Sequence, residues 1–142
     1  MHVMIAVDDT EHSIGTIHTA RRLFGDDADY TVASIGHPSP HLAAYDPVGL
    51  TAFDVHTLEI DEAARAAALA SEAARHAGLD TANIATEIGA PGPQLCELAE
   101  RLDVDVIVVG HHDRGWLSRL LEPSTHTYLT RHAPCPVLID RP

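Results

Sequence analysis

Basic residues are scarce in this sequence: 9 Lys and Arg stand against 21 Asp and Glu in 142 residues, a formal net charge of -12. Binding to a phosphate backbone needs a clustered cationic footprint, so nucleic acid is excluded as an expected partner. Cysteine is nearly absent. The 2 cysteines, Cys96 and Cys135, lie far apart without C-x-x-C spacing, which argues against a disulfide framework and fits reduced, packed thiols in a cytosolic protein. No apolar run approaches the roughly 20 residues of a spanning helix, and no membrane partner is expected. The opening Met1-His2-Val3-Met4-Ile5-Ala6-Val7 lacks a basic n-region and meets Asp8-Asp9 at once, so it reads as a buried strand and not a signal peptide. A cytoplasmic location follows as the expectation.

What the sequence does contain is the material of one folded domain over residues 1–142. Hydrophobic residues make up 45% of the chain, outside the range of disordered proteins, and the length suits a single core. Met1 to Val7 predicts a first strand, and Asp8-Asp9-Thr10 supplies capping chemistry for a helix opening near Glu11 and stopping at Gly25. The β-branched run from Tyr30 to Ile35 predicts a second strand. From Gly36 to about Val55, three prolines and two glycines mark a long loop. Leu58 to His76 has no internal Gly or Pro and predicts a helix closed by Gly78. Thr81 to Ile88 reads as a third strand. The prolines of Gly89-Ala90-Pro91-Gly92-Pro93 suit the start of a helix running through Arg101. The aliphatic Val104 to Val109 predicts a strand covered on both faces, with Gly110 ending it. A short helical turn at Trp116, a helix from Ser124 to His132 and a strand through Val137-Leu138-Ile139 complete the pattern. Five strands alternating with helices predict a doubly wound α/β fold on a parallel sheet.

In such a sheet, ligands sit beyond the carboxyl ends of the strands, where loop N–H groups and helix N-termini hold anions. Three segments qualify here: Val7 to Thr10, Ile35-Gly36, and Val109 to Thr125. Together with Gly115-Trp116-Leu117-Ser118-Arg119-Leu120-Leu121 and Arg131-His132-Ala133-Pro134-Cys135-Pro136-Val137-Leu138-Ile139, they resemble the universal stress protein family over essentially the whole chain. The resemblance implies an adenine-nucleotide alpha-hydrolase-like, Rossmann-like five-stranded fold. It also implies a stress-response role and a homodimer paired through Val137, Leu138 and Ile139. An apolar edge strand of that kind is otherwise an aggregation liability.

ATP-binding members of that family carry G-x2-G-x9-G-[ST]. At the same spacing this chain has Gly110, then Asp113, then Pro123-Ser124. Asp113 puts a carboxylate where phosphate charge belongs, and Pro123 has no N–H to donate, so ATP binding is expected to be weak or absent. Glu122 adds negative charge, while Arg114, Arg119 or a divalent cation offset part of it. What the resemblance still implies is the adenosine part of a site, formed by Ala6, Asp8, Ile35, Val109 and Gly110, with Ser124 and Thr125 at the following helix. Read from the residues alone, Asp8 is a helix cap.

The 11 histidines include His111-His112-Asp113, but adjacent residues seldom converge on one ion and no H-E-x-x-H occurs, so solvated loop histidines are expected and no metal site. Ser124, His126 and Asp113 lack a G-x-S-x-G elbow and do not predict a hydrolase triad. Cys135, between two prolines, reads as a packing residue. The leading reading is a regulatory binding module without catalysis, binding ATP or AMP weakly if at all. The alternatives are a slow ATPase in which Mg accompanies the nucleotide and Asp113 holds it, and a sensor of adenosine or AMP that has lost the triphosphate cradle.

Overall fold

The computed structural model describes residues 1–9, 12–37, 52–111 and 125–141, with the side chains of the second helix described from His56 onward. The elements run β1 (His2–Ala6), α1 (His12–Phe24), β2 (Asp29–Gly36), α2 (Ala52–His76), β3 (Asn83–Ile88), α3 (Pro91–Arg101), β4 (Val106–Gly110), α4 (Thr125–His132) and β5 (Val137–Asp140). The strands form one sheet in the order β3-β2-β1-β4-β5, every neighbouring pair parallel. No helix among the described residues is long and apolar enough to cross a membrane.

Alternation along the strands sorts the side chains into two cores, because successive Cβ atoms point to opposite faces. Val3, Ile5 and Val7 join Val32 and Val108 beneath Ile17 and Ala20 of α1 and Ala70, Ala73 and Ala74 of α2. Met4, Ala33, Ile107 and Val109 pack beneath Leu95, Leu98 and Ala99 of α3 and Leu129 of α4. This division follows from handedness. Right-handed crossovers that step one way from β1 to β3 put their helices on one face, and those that step the other way from β4 to β5 put theirs on the opposite face.

The helix ends are closed by local hydrogen bonds. After α2, Gly78 at φ 67° lets its own N–H reach Arg75 O (3.0 Å) and Leu79 N–H reach Ala74 O (2.8 Å), the paired bonds of a Schellman turn. Arg21 of α1 then donates to the carbonyls of Ala77 (3.0 Å) and Gly78 (3.2 Å) while pairing with Asp26, so one guanidinium ties the ends of α1 and α2 together. The same Schellman pattern closes α3, but with Asp103 at φ 53° in place of glycine.

Several boundaries differ from the sequence expectation. α2 begins at Ala52 and not Leu58, so the last residues of the expected loop from Gly36 to Val55 are helical, and residues 38–51 lie outside the described ones. Nothing between Ala52 and Leu58 breaks a helix, whereas Pro47 and Gly49 do. β3 starts at Asn83 and not Thr81 because Ala82 N–H turns back to Leu79 O (3.1 Å). β4 starts at Val106 and not Val104 because Val104 N–H is taken by Ala99 O (2.9 Å) in the turn at Asp103. The expected turn at Trp116 also lies outside the described residues, as does Ser124.

The two helices of the second core meet at a position that tolerates no side chain. A Cβ on Gly92 of α3 would lie 2.8 Å from Cβ, Cγ and Cδ1 of Tyr128 of α4. Alanine at a helical position gains about 1 kcal/mol over glycine, but overpacking against the Cβ and ring of Tyr128 costs about 1–3 kcal/mol. Gly92→Ala is therefore expected to lower stability by about 1 kcal/mol, read as a lower urea midpoint at unchanged slope.

Candidate functional site

The strand order places the site. β1 has β2 on one side and β4 on the other, and the chain leaves these strands in opposite directions, so the loops after β1 and β4 separate and open a crevice at their carboxyl ends. Ala6 of β1 is in register with Val109 of β4, and the crevice lies directly beyond this pair. Ala6, Ile35 and Val109 all lie on the α3/α4 face of the sheet, Val109 4% exposed and the other two half-buried. They give the crevice an apolar floor suited to a flat, uncharged ring.

Among the described residues, the N–H groups of Asp8, His37 and His111 just beyond the strand ends have partners within the chain. Asp8 N–H donates to Ser13 Oγ (3.0 Å), and the Ser13 hydroxyl in turn lies 2.9 Å from both Asp8 O and Asp8 Oδ1, sharing its single proton between them. His37 N–H donates to Glu62 Oε1 (3.2 Å). His111 N–H donates to Asp140 O (2.7 Å), next to the Gly110–Asp140 register pair. Beside the expected anion segment Ile35-Gly36 stands an acidic side chain of α2. Glu62 of α2 already presents a carboxylate there, and its Cγ would lie 2.9 Å from a Cβ on Gly36, which is why the position is glycine. Asp8 is more than the helix cap read from the residues alone: its carboxylate is joined to the buried Ser13 side chain inside α1.

At the far side of the crevice stands α4. Thr125, its first residue, is 7% exposed. His126, its second, places Nε2 3.0 Å from Gly110 O, and its ring sits 5.0 Å from that of His111, tilted by 52°. The candidate residues Ala6, Val109, Gly110 and Thr125 thus come together around β1 and β4. Asp8 stands at the lip, Ile35 lies one strand away on β2, and Ser124 lies outside the described residues.

The expectation of solvated loop histidines fails widely: among the described residues His12, His18, His56, His76, His126 and His132 lie in helices and His2 in β1. His126 is half-buried in a helix, and His2 in β1 uses both ring nitrogens, Nδ1 donating to Leu102 O (3.1 Å) and Nε2 bonded to Thr31 Oγ1 (2.8 Å). His37 and His41 stand at H-x3-H spacing, but His41 lies outside the described residues. Among the described residues no group of three or more His, Cys, Asp or Glu could hold a metal. The Ser124–His126–Asp113 trio is likewise represented only by His126. Both cysteines are free, and burial pushes each thiol up from its ordinary range.

The universal stress protein family profile matches residues 1–141. The chain belongs to the universal stress protein family. A universal stress protein of Synechocystis sp. is 40% identical over 52 residues, a match covering 37% of this chain and 48% of that protein, so the chain spans about half the length of the curated relative it matches. The structure of universal stress protein UspA from Lactobacillus plantarum superposes with a TM-score of 0.69 at 24% identity, covering 99% of this chain and 97% of the other. A universal stress protein crystallised in complex with cAMP gives a TM-score of 0.63 at 21% identity, with 99% and 96% covered. At these identities the structural likeness establishes the fold, which is the adenine-nucleotide alpha-hydrolase-like one.

Residue reading missed Ser13, Glu62 and His126. None carries a recognisable motif: Ser13 meets Asp8 five residues away across the β1–α1 turn, and Glu62 and His126 reach His37 and Gly110 from 25 and 16 residues away. Ser13→Ala removes one acceptor from Asp8 N–H and one donor from the Asp8 carboxylate at a half-buried site. The expected loss is about 1–3 kcal/mol in chemical denaturation.

Proposed function

We propose that this universal stress protein is a cytoplasmic regulatory module of one domain without catalysis, whose crevice takes an adenine nucleoside or its monophosphate and holds ATP weakly or not at all. The observation that carries this reading is the commitment of the strand-end amides. Asp8, His37 and His111 N–H groups are bonded to Ser13, Glu62 and Asp140, while the apolar floor of Ala6, Ile35 and Val109 remains beside the topological switch. A base needs the floor, and a triphosphate needs the amides. Gly110 is the one glycine retained from the family's phosphate loop, since Asp113 and Pro123 replace the others; Ser124 and Thr125 supply hydroxyls at the start of α4. Glu62 and Asp8 add negative charge around a chain that is already strongly acidic.

The same reading includes a homodimer through β5. Among the described residues that strand pairs only with β4, and Val137, Leu138 and Ile139 are half-buried at the edge of the sheet. Pairing with a second copy covers this apolar edge.

Calorimetry with adenosine, AMP and ATP, with and without Mg²⁺, tests the ligand class. Adenosine and AMP are expected to bind and ATP to bind at least tenfold more weakly, with Asp113→Gly/Pro123→Gly restoring ATP affinity. Micromolar ATP binding by the unmodified chain, or Mg²⁺-dependent release of phosphate, would overturn the reading in favour of an ATP-binding protein or slow ATPase. Sedimentation equilibrium tests the assembly: a dimer is expected, and Ile139→Pro, which removes an N–H on the side of β5 away from β4, should shift it towards monomer.

A further inference from the structure

The two free cysteines take no part in the crevice, yet the fold brings them to one seam. Cys96 lies in α3 and Cys135 between α4 and β5, and both are half-buried against the core of Leu98, Ile107 and Leu129. Both helices lead from the carboxyl end of one strand to the amino end of the next, so they run in the same direction on one face of the sheet. Gly92 of α3 packs against Tyr128 of α4. One turn further along α3, Cys96 projects from the same side as Gly92, because residues four apart share a helix face. One turn further along α4 stands His132, followed by Ala133, which packs on this core, and then by Cys135. Pro136 O accepts from Ile107 N–H (3.0 Å), so the chain is already beside β4 at this point. Cys135, like Val137 and Ile139, therefore faces the α3/α4 side. Burial pushes the Cys96 thiol up from its ordinary range, and the neighbouring Cys135 adds to the shift. Burial pushes Cys135 up as well, but the backbone N–H of Ile107 acts the other way by favouring its thiolate.

We propose that Cys96 and Cys135 are a peroxide-sensitive dithiol that closes to an intramolecular disulfide and so ties α3 to the start of β5. The oxidant is hydrogen peroxide. Cys135, which has a backbone donor beside it, attacks one peroxide oxygen as the thiolate. The O–O bond breaks, Cys135 becomes a sulfenic acid, and the other oxygen takes up the thiol's proton and leaves as water. The Cys96 sulfur then attacks the sulfenic sulfur, the S–S bond forms, and the hydroxyl departs with the Cys96 proton as a second water. The two sulfurs together lose the two electrons that the peroxide gains. Because burial holds both thiols protonated at neutral pH, the pair rests in the reduced state and closes under sustained oxidation. The link restrains the chain entering β5, the strand assigned above to the dimer.

The test treats the reduced full chain with hydrogen peroxide, alkylates it with iodoacetamide in denaturant and weighs it by mass spectrometry. The expected product is a single chain lighter by two hydrogens that takes up no alkyl group until it is reduced, and whose digest contains a cross-linked pair of peptides carrying Cys96 and Cys135. Its rate of formation should rise about tenfold from pH 7 to pH 8, as the thiolate fraction does below a thiol's pKa. In Cys96→Ser, dimedone should trap a sulfenic acid on Cys135, and in Cys135→Ser, Cys96 should stay reduced over the same time. The oxidised wild-type chain should also unfold at higher urea than the reduced one, a difference that both variants lack. The cross-link itself is read on the wild-type chain and does not depend on either variant folding. A disulfide needs Cα atoms within about 7 Å of each other. Cross-links only between chains, sulfinic acid without a cross-link, or two alkylatable thiols after glutathione in the same sample has been oxidised would each overturn the proposal.

Discussion

The parallel pairing of β1 on both of its edges is the constraint on which the rest depends. Val3, Met4 and Ile5 are fully buried, alternately under α1/α2 and under α3/α4, and their backbone bonds hold β2 on one side and β4 on the other. A parallel strand must be covered on both faces, and right-handed crossovers leave one arrangement of four helices that covers it. The crevice follows from this arrangement, because the only place where neighbouring strands send their chains apart is beside β1.

That geometry brings together residues whose chemistry then diverges from a phosphate cradle. In a strand-end crevice the loop N–H groups are the cheapest anion ligands, since they are oriented and carry no side-chain entropy. Here Ser13, Glu62 and the Asp140 carbonyl occupy them. Each contact also has structural value: Ser13 secures the first turn of α1 to β1, Glu62 anchors α2 across the end of β2, and Asp140 extends the β4–β5 ladder. Stability and phosphate binding compete for the same groups. Among the described residues, the strand ends therefore combine the apolar side chains of Ala6, Ile35 and Val109 with Thr125 and His126 at the start of α4.

The order and type of the elements were legible because local patterns carry them. The aliphatic run of Val106 to Val109, the helix-closing Gly78 and the prolines opening α3 each act through their own backbone or immediate neighbours. The beginning of α2 was obscured by a composition resembling a loop, and the beginning of β4 by Asp103, which takes the left-handed conformation usually left to glycine. Within the site, Ala6, Val109 and Gly110 were legible from their places at strand ends. The engagement of Ser13, Glu62 and His126 was not, because it depends on which helix residue the fold sets against each strand end.

By itself, the sequence determined the fold class, the family and the loss of two phosphate-loop glycines, since strand period, turn residues and motif spacing are properties of the chain read along its length. Only the tertiary structure decided which strand-end amides have partners and which carbonyl His126 reaches. Those depend on contacts between groups such as His37 and Glu62 or Gly110 and His126, well separated in sequence and brought within hydrogen-bonding distance by folding.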